Sequence, residues 1–395
     1  MKILHIVDYL MPTMGYQEFL LPKFNAKEKN VKVYILTGNK YYPVPNYKNT
    51  WQKFLGDRSF RPRNEIIDNV NINRSRIDFE ISNRPWINNL EKNIERISPD
   101  IIMVHGTSSF SSLRAVRTAK RLKVPIVLDN HMVFSVIKRN IIGKIYYFVI
   151  KKFVSKYIGK YASIIFGVTK ETCKYLVEFE RYNKKKVELL TLGVDSEKFF
   201  LTKKNYEKKS QPFRIIQTGK LNIDKRPDLL ANAVILLLDK KFDVTLDFYG
   251  SGDNKIIEQI KNIFNQKNYL SKLKFNNFVK YEDLYKVYND SDLCVFPYGT
   301  SLSAVECAFC GTNVIMTNDD ASIEREIDGV GKCYKTGDIK DLAKKIEFFI
   351  TKNKQLNYLK QATNRVTNLR LKYDYKYISK NLLNKFEKII NEHKK

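Results

Sequence analysis

Short apolar runs alternate with longer segments of helical period along most of this chain. The first set of runs lies at Ile3–Val7, Val31–Leu36, Ile101–Val104, Pro125–Leu128 and Ile164–Val168. Near-continuous apolar runs of that length predict strands buried on both faces, and the segments between them predict βαβ units around a parallel sheet. Phe200–Gln211 breaks the rhythm with a polar, lysine-rich stretch that has no periodicity and reads as a linker. The rhythm then restarts at Phe213–Gln217, Val244–Phe248, Lys272–Phe275, Leu293–Phe296 and Asn313–Met316. The pattern predicts two doubly wound, Rossmann-like α/β domains, spanning 1–200 and 201–371. Residues 372–395 carry Leu382, Leu383, Phe386 and Ile389 on one helical face, so a terminal helix is expected to pack back on the first domain.

Composition narrows the class. At 395 residues the chain exceeds the size at which a single core usually keeps growing, which agrees with two domains. A hydrophobic share of 43% beside 28% charged residues fits a globular protein and excludes a disordered one. No run of 18 apolar residues is present to span a membrane. The opening MKILHIVDYL passes straight into an apolar run without a signal-peptide layout, and five cysteines show no framework spacing. A cytoplasmic location is the expectation. Cys307 and Cys310 form a C-x-x-C without a second pair and with the histidines scattered, which predicts small core residues rather than a metal or redox centre. A net charge of +28 points to an anionic partner. Because the charge is spread along the chain and no nucleic-acid-binding signature accompanies it, nucleic acid is not the expected partner.

The candidate chemistry sits where predicted strands end. Phe296–Met316, FPYGTSLSAVECAFCGTNVIM, reads as a strand, a small-residue turn and a helix from Leu302, with Gly311 ending it. A helix start after such a turn suits a ligand phosphate. Glu306 is either a solvated helix residue or a carboxylate reaching further round that ligand. TGKLNIDKRPDLL places Gly219, Lys220, Lys225 and Arg226 on one loop before a proline-started helix, a set of cations suited to a diphosphate. Gly250-Ser251-Gly252 closes the following strand. In the first half, the strand Ile3–Val7 leads into Asp8–Gln17, where Gly15 would let backbone approach a ligand before a helix from about Glu18. His105 and Gly106 end the third strand, and Asn130 and His131 the fourth. His131 is expected to meet a ligand, whereas His5, inside its strand, reads as structural. Ser135–Tyr161 interleaves lysines with Tyr146, Tyr147 and Tyr157, and reads either as a helix in a lipid headgroup layer or as a domain helix with a solvated basic face.

Together these features resemble the retaining GT-B glycosyltransferases of family 4 over nearly the whole chain. PYGTSLSAVECAFCGTNVI is similar to that family's donor motif, in which two glutamates stand eight positions apart. Glu306 matches the second, which binds the ribose hydroxyls of the nucleotide. Tyr298 replaces the first, which contacts the transferred sugar. TGKLNIDKRPD resembles the family's Gly-Arg…Lys loop, with Lys225 matching the lysine and Lys220 replacing the arginine without its bidentate fork. LTLGVDSEKF resembles the segment before the linker, with Leu192 in an asparagine's place. Asp319 and Asp320 fall where the family often has glycines and read as loop residues.

The resemblance implies a GT-B fold of two domains facing across a cleft. It implies donor contacts at Gly15, Gly219, Gly250, Val279, Tyr298, Thr300, Ser301, Leu302, Ser303 and Glu306. Catalytic roles fall on His131, facing the donor sugar, and on Lys220 and Lys225, neutralising the leaving diphosphate. The implied reaction needs no cofactor and no metal: a sugar passes from a UDP- or GDP-linked donor to an acceptor hydroxyl on the same face, and the departing phosphate takes the proton. The basic stretch and overall charge favour a cell-envelope glycan or lipid-linked acceptor at the inner face of the plasma membrane. The alternatives are a nucleotide-sugar epimerase or hydrolase of the same architecture, and a degenerate glycosyltransferase-like binding subunit.

Overall fold

The computed structural model describes residues 1–44, 46–132, 148, 150–202, 212–299, 301–352 and 358–394. The chain forms two compact units, Met1–Gly193 with Tyr375–Lys395, and Val194–Asp374.

In the first unit the strands are β1 (Lys2–Val7), β2 (Lys32–Gly38), β3 (Arg63–Ile67), β4 (Val70–Ser75), β5 (Ile77–Ile81), β6 (Arg84–Ile87), β7 (Ile101–His105), β8 (Ile126–Asn130), β9 (Ile164–Gly167) and β10 (Val187–Leu189). Eight of them make one sheet in the order β10-β9-β8-β7-β1-β2-β4-β3, while β5 and β6 pair separately. Each apolar run anticipated from the sequence is a central parallel strand, buried because helices cover both faces. The pattern did not announce β3–β4 or β5–β6, two antiparallel hairpins of mixed polarity. Their turns use Asp68-Asn69 and Ser82-Asn83, with both residues of each pair at φ between 48° and 63°. That is the doubly left-handed turn that matches strand twist, built here without the usual glycine.

The helix Tyr375–Lys394 packs on the helix Gln17–Asn25 and buries Leu382, Leu383, Phe386 and Ile389. Phe24 and Tyr375 stack at 5.8 Å, and Ser379 Oγ donates to Asn25 Oδ1 at 2.6 Å. The terminal helix is shorter than the expected 372–395, because the preceding helix Tyr358–Tyr373 ends where the Tyr373 carbonyl accepts the Val194 N–H.

In the second unit β11 (Phe213–Thr218), β12 (Val244–Tyr249), β13 (Leu273–Asn276), β14 (Leu293–Phe296), β15 (Asn313–Thr317) and β16 (Lys332–Tyr334) form an all-parallel sheet. Its order is β13-β12-β11-β14-β15-β16. The helix Pro227–Asp239 covers one face with nine buried residues and belongs to the larger of this unit's two apolar clusters, which runs from Phe213 to Ile350. The three-residue β16 was too short to be read from the pattern.

Strand order reverses direction at β1/β7 in the first sheet and at β11/β14 in the second. Open α/β sheets bind ligands beyond the carboxyl ends of strands at such switch points. Most of the expected linker, 203–211, lies outside the described residues, as do 135–147 and 149 of the basic aromatic stretch. Within the rest of that stretch Ile158 is fully buried, while Phe148 and Phe153 are exposed. Among the described residues no helix is long and apolar enough to cross a membrane.

Candidate functional site

In the second unit, the loops leaving β11, β12, β13 and β14 carry nearly all the residues singled out for a nucleotide. Gly219 and Gly250 follow β11 and β12 at φ of 119° and 144°, and a Cβ on Gly250 would stand 1.9 Å from the Gly219 carbonyl oxygen. Only glycine permits these two loops to run side by side. Lys220 is exposed, and Lys225 lies in the short turn Ile223–Lys225 before the helix Pro227–Asp239. The Lys225 ammonium reaches the β14 loop, standing 3.3 Å from where a Cβ on Gly299 would be. Burial lowers the Lys225 pKa, and the neighbouring Lys220 charge adds to that. Two ammonium groups therefore converge where strand order switches. Arg226, read with them from the sequence, is engaged elsewhere: its Nε and Nη2 donate to both carboxylate oxygens of Asp228 at 2.8–3.1 Å.

The β14 loop continues through the exposed Tyr298 and through Ser301, Leu302 and Ser303 into the helix Ser303–Phe309. Thr300 lies outside the described residues. Glu306, one turn inside the helix, is 4% exposed rather than solvated. Burial pushes its carboxyl up to about 7, while hydrogen bonding by Ser303 and Tyr281 and the Arg325 charge pull the other way. Arg325, absent from the sequence reading, is itself buried and donates from Nη1 to the Ser301 carbonyl at 2.6 Å, fixing the loop from behind. Val279 sits in the extended segment after β13, next to the turn that carries Tyr281. Cys307 and Cys310 are buried with thiols pushed up by desolvation, as suits core residues. Asp320 is not a loop residue but opens the helix Asp320–Ile327, and Asp319 at the end of the loop caps it by accepting from the Ser322 amide at 2.8 Å. No group of three or more metal-ligating side chains occurs among the described residues.

In the first unit, Gly15 closes the turn Pro12–Met14 in the left-handed region (φ 73°), releasing the chain into the helix Gln17–Asn25. Gln17 Nε2 donates to Asp129 Oδ2 at 3.2 Å, and Asp129 Oδ1 lies 3.7 Å from His131 Nε2. The glycine turn and His131 are thus tied to one carboxylate. Asp129 also accepts from His105 Nδ1 at 2.7 Å; His105 Nε2 lies 3.1 Å from His5 Nδ1, and Asn25 Nδ2 lies 3.3 Å from His5 Nε2. An amide donating to His5 Nε2 leaves the His5 proton on Nδ1, which passes the same polarity through His105 to the carboxylate. Burial first, then the neighbouring His105, hold His5 well below its ordinary pKa. Burial opposes ionisation of Asp129, but His105 and His131 overcome it and hold the carboxyl far below its usual range. Desolvation of the ring opposes charge on His131, whose side chain is nonetheless 36% exposed, and the Asp129 contact and the Glu18 charge raise it to about 9. The Asp129 carboxylate beside it thus favours the protonated form of His131. His5 is structural, as expected, and it buttresses the residue the sequence singled out.

Comparison with known proteins follows the same division. The profile described as Glycosyltransferase Family 4 matches residues 28–198, and that described as Glycosyl transferases group 1 matches 199–366. No curated relative matches by sequence. Among solved structures, a glycosyltransferase from Rickettsia africae ESF-5 superposes with a TM-score of 0.70 at 14% identity, over 98% of each chain. HepE of Anabaena, solved with UDP, gives 0.72 at 13% identity over 98% of this chain and 100% of its own. Sucrose-phosphate synthase of Thermosynechococcus elongatus gives 0.70 at 15% identity over 99% of each.

Proposed function

We propose, for a chain that belongs to the GT-B glycosyltransferases of family 4, that it is a retaining enzyme moving a sugar from a nucleoside-diphosphate sugar to a hydroxyl of a cell-envelope glycan or lipid-linked acceptor. The observation that carries this reading is the approach of Lys225 to the β14 loop at the β11/β14 switch point, with the buried Glu306 one turn into the helix that the loop feeds. HepE has also been solved with UDP-glucose, which supports a UDP-linked donor.

In this reading Glu306 accepts the ribose hydroxyls, and the loops after β12 and β13 flank the nucleotide. As the bond from sugar to diphosphate breaks, charge develops on the β-phosphate, and Lys220 and Lys225 neutralise it. The partly desolvated setting of Lys225 strengthens its share of that interaction relative to water. His131, held as an imidazolium by Asp129, donates to the sugar. No protein nucleophile and no metal enter the scheme. The exposed Tyr298 leaves the sugar-contacting position without a carboxylate, so sugar selection rests on other groups. The net charge of +28 and the exposed Phe148 and Phe153 support a peripheral site of action at an anionic membrane surface, on the cytoplasmic side.

A thermal-shift panel of UDP- and GDP-sugars tests the donor class. One nucleotide sugar is expected to raise Tm, with the free diphosphate retaining most of the shift. A panel without any shift would remove the glycosyltransferase reading.

A further inference from the structure

β8 ends in Asp129 and Asn130, and consecutive side chains leave a strand on opposite faces. Asp129 takes His105 and Gln17 on one side. Asn130 turns the other way, where its Nδ2 donates to Thr107 Oγ1 at 2.6 Å and to Glu180 Oε1 at 3.2 Å. Its Oδ1 accepts from the Met132 amide at 2.6 Å, and its backbone carbonyl accepts from the Val168 N–H at 3.3 Å. A side-chain oxygen that accepts from the amide two residues on makes an Asx turn, and the residue inside this turn is His131. The strand end that presents His131 is therefore held from both faces, and the second hold runs to Glu180.

Glu180 follows the helix Lys170–Glu178 and is 3% exposed. Its N–H donates to the Tyr175 carbonyl at 3.2 Å, and Arg181 after it turns the chain in the left-handed conformation at φ 64°. Four groups meet the carboxyl, all of them buried. Thr107 Oγ1 donates to Oε1 at 3.2 Å beside Asn130 Nδ2, and the Tyr182 and Ser155 hydroxyls add hydrogen bonds of their own. Burial pushes the Glu180 carboxyl up to about 6, and those hydrogen bonds pull it down. A carboxylate suits such a set because it accepts on both oxygens, whereas an amide accepts on only one. Thr107 lies beyond β7, Asn130 ends β8, Ser155 precedes the helix Lys156–Tyr161, and Tyr182 follows Arg181. One side chain thus joins four segments, and a satisfied buried network of this kind fixes a single arrangement of its members.

We propose that Glu180 is a positioning residue for His131, acting through Asn130: it holds the Asx turn after β8 so that the imidazole stays beside Asp129. The effect of that placement on turnover rests on the glycosyltransferase reading; the placement itself does not. Every group in it belongs to the first unit. Glu180 touches no reacting atom and exchanges no proton in this role. Cutting the tie frees the Asn130 amide to rotate, the turn loosens, and His131 leaves its 3.7 Å contact with Asp129 Oδ1.

The test uses the full chain and a double-mutant cycle. Asn130→Ser keeps an oxygen for the Met132 amide but loses the donor to Glu180, Glu180→Leu fills the space without an acceptor, and the third protein carries both. NMR titration of His131 needs no donor. The wild-type midpoint is expected near 9, and each single variant about one unit or more lower, toward the ordinary 6.5. The double variant should shift no further than the larger single, because both substitutions cut the same tie. Glu180→Gln, which keeps one accepting oxygen, should recover part of the shift. Additive shifts would mean that Glu180 supports the core independently of Asn130 and would overturn the proposal. A wild-type midpoint already at 6.5 does the same, as does an unmoved midpoint in Asn130→Ser, the variant that decides where Glu180→Leu fails to fold. With the donor that the thermal-shift panel selects, Asn130→Ser should lose about 10- to 100-fold in kcat with KM within about twofold, as a misplaced group does. Unchanged kcat, or a change in KM alone, contradicts the role in turnover. A panel without a donor removes the glycosyltransferase reading and leaves the titration to decide the placement.

Discussion

The two switch-point edges of this protein are built by different means. At β11/β14 the site is made of backbone: glycine loops pressed together, an arginine holding a carbonyl, two lysines and one buried carboxylate. At β1/β7 and the neighbouring β8 it is made of side chains, a chain of contacts running from Ser379 through Asn25, His5 and His105 to Asp129 and His131. The first arrangement gathers positive charge at its switch point, and the second ties one imidazole to a buried carboxylate. A backbone-built edge tolerates loss of a single side chain as a loss of ligand affinity or rate. An edge wired through one buried carboxylate fails as a unit.

Replacing Asp129 should expose that difference most strongly. Asp129→Asn keeps the volume but removes the carboxylate that contacts both His105 and His131, and breaking such a buried pair costs about 3–5 kcal/mol of stability. Urea denaturation is expected to show it, with His131 titrating near the ordinary 6.5 by NMR rather than near 9. The sign follows from linkage. His131 gains affinity for its proton on folding, so its contribution to stability is full below pH 6.5 and is lost as pH rises through about 9; the variant lacks that loss. A wild-type His131 that titrates at 6.5 would dissolve the contrast between the two edges.

The lysines of the second edge should act on rate with little effect on folding. Lys225→Ala is expected to lower turnover of the selected donor by about 100-fold, in line with removal of one preorganised group opposite developing charge. Lys220→Ala should cost less, because an exposed ammonium is already screened by solvent. Steady-state kinetics of the two variants decides the order, and equal losses would mean that burial of Lys225 contributes nothing.

How much of this was visible in the sequence differs between the edges for the same reason. Loops made of glycines, lysines and a helix start are local in the chain, so Gly219, Lys225 and Glu306 could be read from two short stretches. Arg226 was misassigned because its partner, Asp228, competes only once the helix after Pro227 sets their geometry. Arg325 gave no signal, since an arginine inside a short helix reads as solvated until burial is known. On the first edge, His5 and Asp129 stand 124 positions apart with His105 between them, and no periodicity announces that β1, β7 and β8 place them in line. The hairpins β3–β4 and β5–β6 escaped because their strands are neither continuously apolar nor joined by glycine turns.

The central claim is that the edge at β11/β14 holds a nucleoside diphosphate, with Glu306 on its ribose. Calorimetric titration of wild type and Glu306→Ala with UDP and GDP at pH 8, above the shifted Glu306 pKa of about 7, tests it most directly. One diphosphate should bind wild type and lose about 10- to 100-fold in affinity in the variant at unchanged Tm, as expected for a charge-assisted hydrogen bond of about 1.5–3 kcal/mol. Equal affinity in both proteins would contradict the account.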